Sequence, residues 1–173
     1  MMGSPELVQE GQAALGRAEW ARARECFERA LGQDAQHAEA LDGLGRALHF
    51  EGEYGRAIEL TERAFAAYLR AGRGVEAADR ARWLAFLHGA VRANMSVAGG
   101  WMARAESALD GVEECAAHGW LYLDRAPFTE EIRRREQLAA SALAIARRFG
   151  DTDTTRSPCS ARRMWRRDVS SRA

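Results

Sequence analysis

The sequence predicts an all-α fold made of stacked helical hairpins, and three observations lead to that prediction. The 173-residue chain is 47% hydrophobic but only 8% aromatic, and its apolar residues are mainly alanine and leucine, which favour helices. Proline occurs only three times, so few positions forbid a helix. A residue pattern also recurs at a sequence shift of 34, and this period is typical of helical hairpins that bury their apolar faces only by stacking.

The repeat is carried by small and aromatic residues at matching positions. The pairs that this shift brings into register are Gly11 with Gly45, Trp20 with Tyr54, Ala23 with Ala57, Phe27 with Thr61, and Ala30 with Ala64. Small side chains let two helices approach closely, so we expect the alanines of this set to be almost completely buried. The predicted repeat-packing positions are Gly11, Ala23, Ala30, Gly45, Ala57, Ala64, Ala98 and Ala105.

The first hairpin is predicted to have helices over residues 5–16 and 20–31. Ser4 suits the N-cap of the first helix and Pro5 suits its first helical position. Gly32 suits the C-terminal cap of the second helix. The sequence therefore marks both ends of this hairpin.

The second and third hairpins follow the same plan. The second is predicted over residues 38–51 and 54–71. The third begins with a helix over residues 76–93 and continues with Ala98 and Ala105, which match Ala57 and Ala64 after a shift of 41. Because Gly99 and Gly100 are adjacent and glycine disfavours helix, we expect a ragged start to its second helix.

A fourth hairpin is predicted by repeating the shift of 41, which maps Ala98 and Ala105 on to Ala139 and Ala146. Its first helix is expected over residues 118–126. Its second is expected over residues 129–149 with Thr129 as N-cap, because acidic residues follow Thr129 and two arginines occupy the last turn.

The chain is divided by composition into a helical repeat domain, residues 1–150, and an arginine-rich tail, residues 151–173. The tail has six arginines against three aspartates and lacks the alanine spacing, so we expect it to be disordered and dispensable. Its abrupt composition resembles out-of-frame coding sequence or a truncated gene. The chain would then be an N-terminal fragment of a longer protein.

Composition excludes several classes of function. Acidic and basic residues balance at 25 each, and every basic residue is arginine, so no overall field attracts nucleic acid or an anionic membrane. The three cysteines and four histidines lack ligand spacing, so we expect no metal site, no cofactor and no catalytic residues. The first ten residues do not resemble a signal peptide, and a cytoplasmic location is expected.

The second hairpin carries a family resemblance. Leu41-x-x-Leu44-Gly45-x-Ala47, followed by Gly52-x-Tyr54-x-x-Ala57 and Ala64, resembles the tetratricopeptide-repeat (TPR) pattern. The resemblance covers residues 5–110 and extends more weakly over residues 111–150. It implies a right-handed α-solenoid of three to four hairpins that binds a protein or peptide partner in a groove lined by the first helix of each hairpin. The groove residues that it implies are Asp42, Arg46, His49, Phe50, Arg80, Trp83 and Leu87.

A narrower resemblance is to the helical-repeat regions of large bacterial LuxR-type transcription regulators. It is carried by Leu41-x-Gly43-Leu44-Gly45, Arg63-Ala64-x-x-x-Tyr68 and Gly100-Trp101-x-x-Arg104-Ala105. Proteins of that kind often end in a DNA-binding helix-turn-helix. Two functions are therefore open: a non-enzymatic protein-interaction scaffold, or the N-terminal regulatory fragment of a LuxR-type regulator that lacks its DNA-binding domain.

Overall fold

The computed structural model describes residues 2–126 and 129–149. Every regular element in these residues is helical, which confirms the predicted all-α class. The α-helices, in chain order, are α1 (Ser4–Gly16), α2 (Trp20–Gln33), α3 (Ala38–Phe50), α4 (Tyr54–Arg70), α5 (Gly74–Phe86), α6 (Met95–Ala108), α7 (Ala116–Arg125) and α8 (Ile132–Phe149). A π-helical turn, Leu87–Val91, follows α5.

The chain forms two compact units, Met1–Arg73 and Gly74–Ala173. Helices α1 to α4 belong to the N-terminal unit, and helices α5 to α8 belong to the C-terminal unit. The sequence-based division into a repeat domain, residues 1–150, and a tail stays a prediction.

Three helices of the N-terminal unit end in the same way, with one residue in the left-handed backbone region. These residues are Ala18 after α1 (φ 60°), Gly52 after α3 (φ 87°) and Gly72 after α4 (φ 68°). The N–H of the following residue donates to a carbonyl five positions earlier in each case, as in the Schellman motif. Ala18 therefore occupies in the first hairpin the position that Gly52 occupies in the second.

The Phe27 ring lies at the centre of the N-terminal unit and is completely buried. It packs against Gly11 of α1 and Gly43 of α3. A Cβ atom built on Gly11 would stand 2.7 Å from the ring, and one built on Gly43 would stand 2.2 Å from it. Both distances are too short for a methyl group, so the first hairpin and α3 approach this closely only through glycine.

All eight predicted repeat-packing residues are buried, and the four alanines Ala23, Ala30, Ala57 and Ala64 have no exposed surface. Thr61 takes the place of Phe27 in the second hairpin. A Cβ atom built on Gly45 would lie 3.0 Å from Thr61 Oγ1, and that hydroxyl donates a 2.7 Å hydrogen bond to the Ala57 carbonyl. The buried hydroxyl is thus satisfied within its own helix.

Arg24 joins α2 to the turn that follows α3. Its guanidinium group donates to Glu28 on α2 at 3.0 Å, and to Glu51 at 3.0 Å and Glu53 at 2.8 Å in the turn. The hydrogen bonds to Glu51 and then to Glu28, with the negative charges of Glu28 and Glu53, raise the pKa of Arg24. One arginine side chain therefore connects the two hairpins.

In the C-terminal unit, the helix predicted over residues 76–93 is shorter than expected: α5 ends at Phe86 and the π-helical turn follows. The predicted ragged start of α6 is also wrong, because α6 begins before its paired glycines. Asn94 occupies the N-cap, and its side-chain oxygen accepts a 3.2 Å hydrogen bond from the Val97 N–H. This cap establishes the helix one turn ahead of Gly99 and Gly100.

Two predicted helix starts are corrected by the structure. Helix α8 begins at Ile132, three residues after the predicted N-cap, because the Thr129 hydroxyl instead donates a 3.1 Å hydrogen bond to the Arg125 carbonyl at the end of α7. Ser4 already lies inside α1, and Gly3 occupies the capping position.

The predicted alignment of the last helix is wrong by one residue. The buried residues of α8 are Leu138, Ala142 and Ile145, whereas Ala139 is exposed and Ala146 is half-buried. The shift from Ala98 and Ala105 is therefore 40 rather than 41. The larger side chains determine which face of α8 is buried, because their burial removes more apolar surface from water than the burial of alanine does.

The predicted disordered tail, residues 151–173, lies outside the described residues. Within the described part of the chain, no helix is long and apolar enough to cross a lipid bilayer.

Candidate protein-interaction surface

Four of the predicted groove residues lie on α3. Spacings of four, three and one residues place Asp42, Arg46, His49 and Phe50 on one side of the helix, and we call this set the α3 surface. Asp42 is almost completely buried, at 8% exposed, whereas the other three are half-buried. Arg46, His49 and Phe50 are therefore the members of this set that a partner could contact.

The C-terminal half of the α3 surface belongs to an aromatic cluster. The Phe50 ring stacks on Trp20, with centroids 4.3 Å apart and planes 13° from parallel. His49 makes edge contacts with Phe50 at 5.2 Å and with Tyr54 at 5.3 Å. Because Tyr54 is 44% exposed, this cluster forms an aromatic surface at one end of α3.

Burial affects the protonation of His49 in this cluster. It lowers the pKa of His49 below the usual histidine range, because a partly desolvated imidazole disfavours the charged form. Burial therefore favours the neutral form of His49 in this cluster.

A charged pair lies at the other end of α3. The Arg73 guanidinium donates to the Glu39 carboxylate and lies 4.8 Å from the centre of the Tyr68 ring. Burial alone would raise the pKa of Glu39, but the hydrogen bond from Arg73 and the neighbouring charges lower it below its usual value. The α3 helix therefore has an ionised, paired end and an aromatic end.

The other three predicted groove residues lie in the C-terminal unit. Leu87 opens the π-helical turn and is completely buried, so its predicted role in contacting a partner is not possible in this conformation. Arg80 is only 6% exposed and lies 3.5 Å from Asp79. Trp83 is half-buried and stacks on Phe86 at 5.2 Å, so Trp83 alone of the three presents substantial surface.

Arg82, which the sequence did not single out, has a structural role beside these residues. It pairs with Asp79 on α5 at 2.8 Å and with Asp124 on α7. Asp79 and Arg82 are each only 12% exposed. Arg82 therefore links Asp79 on its own helix, α5, to Asp124 on α7.

The stretch that resembles LuxR-type regulators around Trp101 is part of the packing of α6. Trp101 is only 8% exposed, and the Arg104 guanidinium lies 4.6 Å from the centre of its ring. This cation–π contact covers the remaining face of the indole.

Sequence analysis missed that Trp20 and Tyr54 would share a cluster with the α3 surface. Both residues were recognised as matching positions of the repeat and as the first residues of α2 and α4. Their equivalent positions, each at the start of the second helix of a hairpin, were the available signal. The contact itself depends on tertiary packing, which the repeat pattern alone does not specify.

The cysteines and histidines of the described residues do not form a metal site, since no group of three or more potential ligands converges there. Cys26 is buried, and burial raises the pKa of its thiol. Cys115 occupies the N-cap of α7, where its N–H donates to His118 Nδ1 at 3.2 Å.

The family resemblances receive no support from comparison with known proteins. A scan of the chain against models of protein families finds no match, and a search of curated proteins also finds none.

Proposed function

We propose that this protein is a non-enzymatic interaction scaffold, built of tetratricopeptide-like hairpins stacked as a right-handed solenoid, and that the α3 surface binds a protein or peptide. The observation that carries the proposal is the aromatic cluster around Phe50 together with Arg46, at the edge of a helix that is otherwise buried. Tryptophan, tyrosine and arginine are the residues that most often dominate interface energies.

Rigidity supports the same proposal. Helix α3 is fixed by Phe27 seated on Gly43 and by the Trp20–Phe50 stack. Side chains that are already ordered lose less conformational entropy when they bind. The α3 surface therefore suits recognition of a peptide or a helix.

The test is a selection of peptides from a displayed library on the purified full-length chain, followed by fluorescence anisotropy with the recovered peptides. We expect Arg46→Glu to weaken binding by at least about tenfold, since replacing a central interface arginine typically costs more than about 1.4 kcal/mol. Arg29→Glu is the matched control, because Arg29 is an exposed arginine of α2.

Arg147→Glu, on α8, distinguishes the α3 surface from a contact in the C-terminal unit. Peptides that lose affinity with Arg147→Glu and keep it with Arg46→Glu bind elsewhere. If every recovered peptide behaves in that way, the α3 surface is not the binding site.

A further inference from the structure

Helix α8 presents a largely exposed apolar stripe beside the face that packs against α7. Ile132, Ala139, Leu143 and Ala146 follow one another at spacings of seven, four and three residues, which place them in one row along the helix. Ile132 is 68% exposed and Leu143 is 51% exposed. We call this row the α8 stripe.

The stripe is separate from the face that holds α8 in the fold. The inward face is formed by Leu138, Ala142 and Ile145, and a Cβ atom built on Gly119 of α7 would lie 2.9 Å from Ile145. Helix α8 therefore has two apolar faces, of which α7 covers one.

Arginines outnumber acidic residues on the helix that carries the stripe. Helix α8 contains Arg133, Arg134, Arg135, Arg147 and Arg148 against a single acidic residue, Glu136, although the whole chain is neutral. Arg135 lies one turn from Ile132 and Ala139, as Glu136 also does, and Arg147 lies one turn from Leu143.

Some of these arginines are committed within the fold and others are not. Arg148 pairs with Glu114 at 2.6 Å, and Arg135 donates to the Thr129 carbonyl at 2.9 Å. Within the described residues, the guanidinium groups of Arg133 and Arg147 have no hydrogen-bond or ion-pair partner. Positive charge is consequently available at both ends of the stripe.

We propose that the α8 stripe binds an acidic amphipathic helix of a partner protein. Leucines of such a helix would cover Ile132 and Leu143, and its carboxylates would pair with Arg133 and Arg147. An amphipathic helix binds a partner by laying its apolar face against a hydrophobic surface. This proposal does not depend on the α3 surface.

Charge selects this occupant over the alternatives. A second copy of α8 would place arginines against arginines, and residues 151–173, with six arginines and three aspartates, have the same sign as α8. Nucleic acid would match the charge, but a row of leucine and isoleucine has no complement in a phosphate backbone. An acidic, apolar helix satisfies both features.

The experiment uses the full-length protein and two synthetic helical peptides with the same leucine face, one flanked by glutamates and one by lysines. We expect fluorescence anisotropy to show binding of the acidic peptide with at least about tenfold higher affinity than the basic peptide. Leu143→Glu should abolish binding of the acidic peptide. Arg147→Glu should reverse the preference between the two peptides.

The matched control is Leu69→Glu, which places the same charge at a leucine that is 44% exposed on α4. It should leave binding of the acidic peptide unchanged, and circular dichroism should show that all three variants keep their helical content. Equal affinity for the two peptides would overturn the proposal. So would a duplex oligonucleotide that binds more tightly than the acidic peptide.

Two further outcomes contradict it. Self-association of the parent chain that disappears with Leu143→Glu, measured by sedimentation, would identify a second copy as the occupant. Absence of peptide binding together with a lower melting temperature of Leu143→Glu would show that the stripe is covered within the chain itself.

Discussion

Phe27 shows how a single side chain determines the spacing between helices. Its ring fills the space in which Gly11 and Gly43 lack a Cβ atom, so α1 and α3 both approach α2 at the width of an aromatic ring. Packing of this density leaves no volume for an added methyl group.

Gly43→Ala tests this arrangement. We expect a loss of about 1–3 kcal/mol in the free energy of unfolding, measured with urea, because the new methyl group overlaps the Phe27 ring. Gly32→Ala is the control, since a Cβ atom at Gly32 meets nothing within 4 Å and alanine is the better helix former. A Gly43→Ala variant as stable as the parent would contradict the close contact.

His49 provides a prediction about pH. Its pKa is lowered in the folded state by burial. Below pH of about 6.5, His49 therefore binds a proton more readily in the unfolded chain than in the folded chain. The stability due to neutral His49 is present above that pH and is lost as the pH falls through the lower, folded-state value. Urea unfolding between pH of about 7.5 and 5.5 should show a smaller decrease for His49→Gln than for the parent, and parallel curves would refute this.

At the scale of the elements, three turns share one left-handed backbone conformation but not the same type of residue. Ala18 has a φ of 60°, whereas Gly52 and Gly72 occupy the same conformation without a side chain. A left-handed conformation costs an L-residue roughly 1–2 kcal/mol, although glycine also increases the entropy of the unfolded chain.

We therefore expect reciprocal effects at Ala18 and Gly52. Ala18→Gly should stabilise the fold by up to about 1 kcal/mol and so raise the melting temperature modestly. Gly52→Ala should destabilise the fold by a similar amount and so lower the melting temperature. Differential scanning calorimetry distinguishes the two directions. A fall for Ala18→Gly together with a rise for Gly52→Ala would mean that the preference of the chain for alanine over glycine outweighs the backbone conformation.

How well the sequence predicted each element depended on the size of its residues. Helices α1 to α4 were predicted within one or two residues, because large residues such as Phe27 on α2 and Leu41, Leu44 and Leu48 on α3 mark the buried faces. In α8 alanine occurs on both the inward and outward faces, and an alanine gives little indication of which face is buried. The predicted alignment of α8 was consequently wrong by one residue, and Ala139 was expected to be buried.

The candidate surface was predicted less completely than the helices. Spacing alone placed Arg46, His49 and Phe50 on one side of α3. It did not reveal that Arg80 and Leu87 would be buried, because that depends on the ion pairs of α5 and on the π-helical turn. Aromatic contacts between elements, such as Trp20 with Phe50, likewise arise only in the folded chain.

For the whole molecule, residues 151–173 allow one more prediction, which rests on their composition. Truncation after Gly150 should leave the helical circular dichroism and the melting temperature unchanged. A decrease of more than about 5 °C, close to 1 kcal/mol for a chain of this size, would show that these residues contribute to the fold.

Because every strongly basic side chain of the protein is an arginine, its ion pairs respond differently to acid and to alkali. Arg24 keeps its charge at any pH at which a protein stays folded, so its links to Glu28, Glu51 and Glu53 can be broken only by protonating the carboxylates. Alkaline solution thus leaves the connection between the two hairpins intact, and acid releases it. Reagents that modify primary amines would likewise leave Arg24 and the other arginines of these ion pairs unchanged.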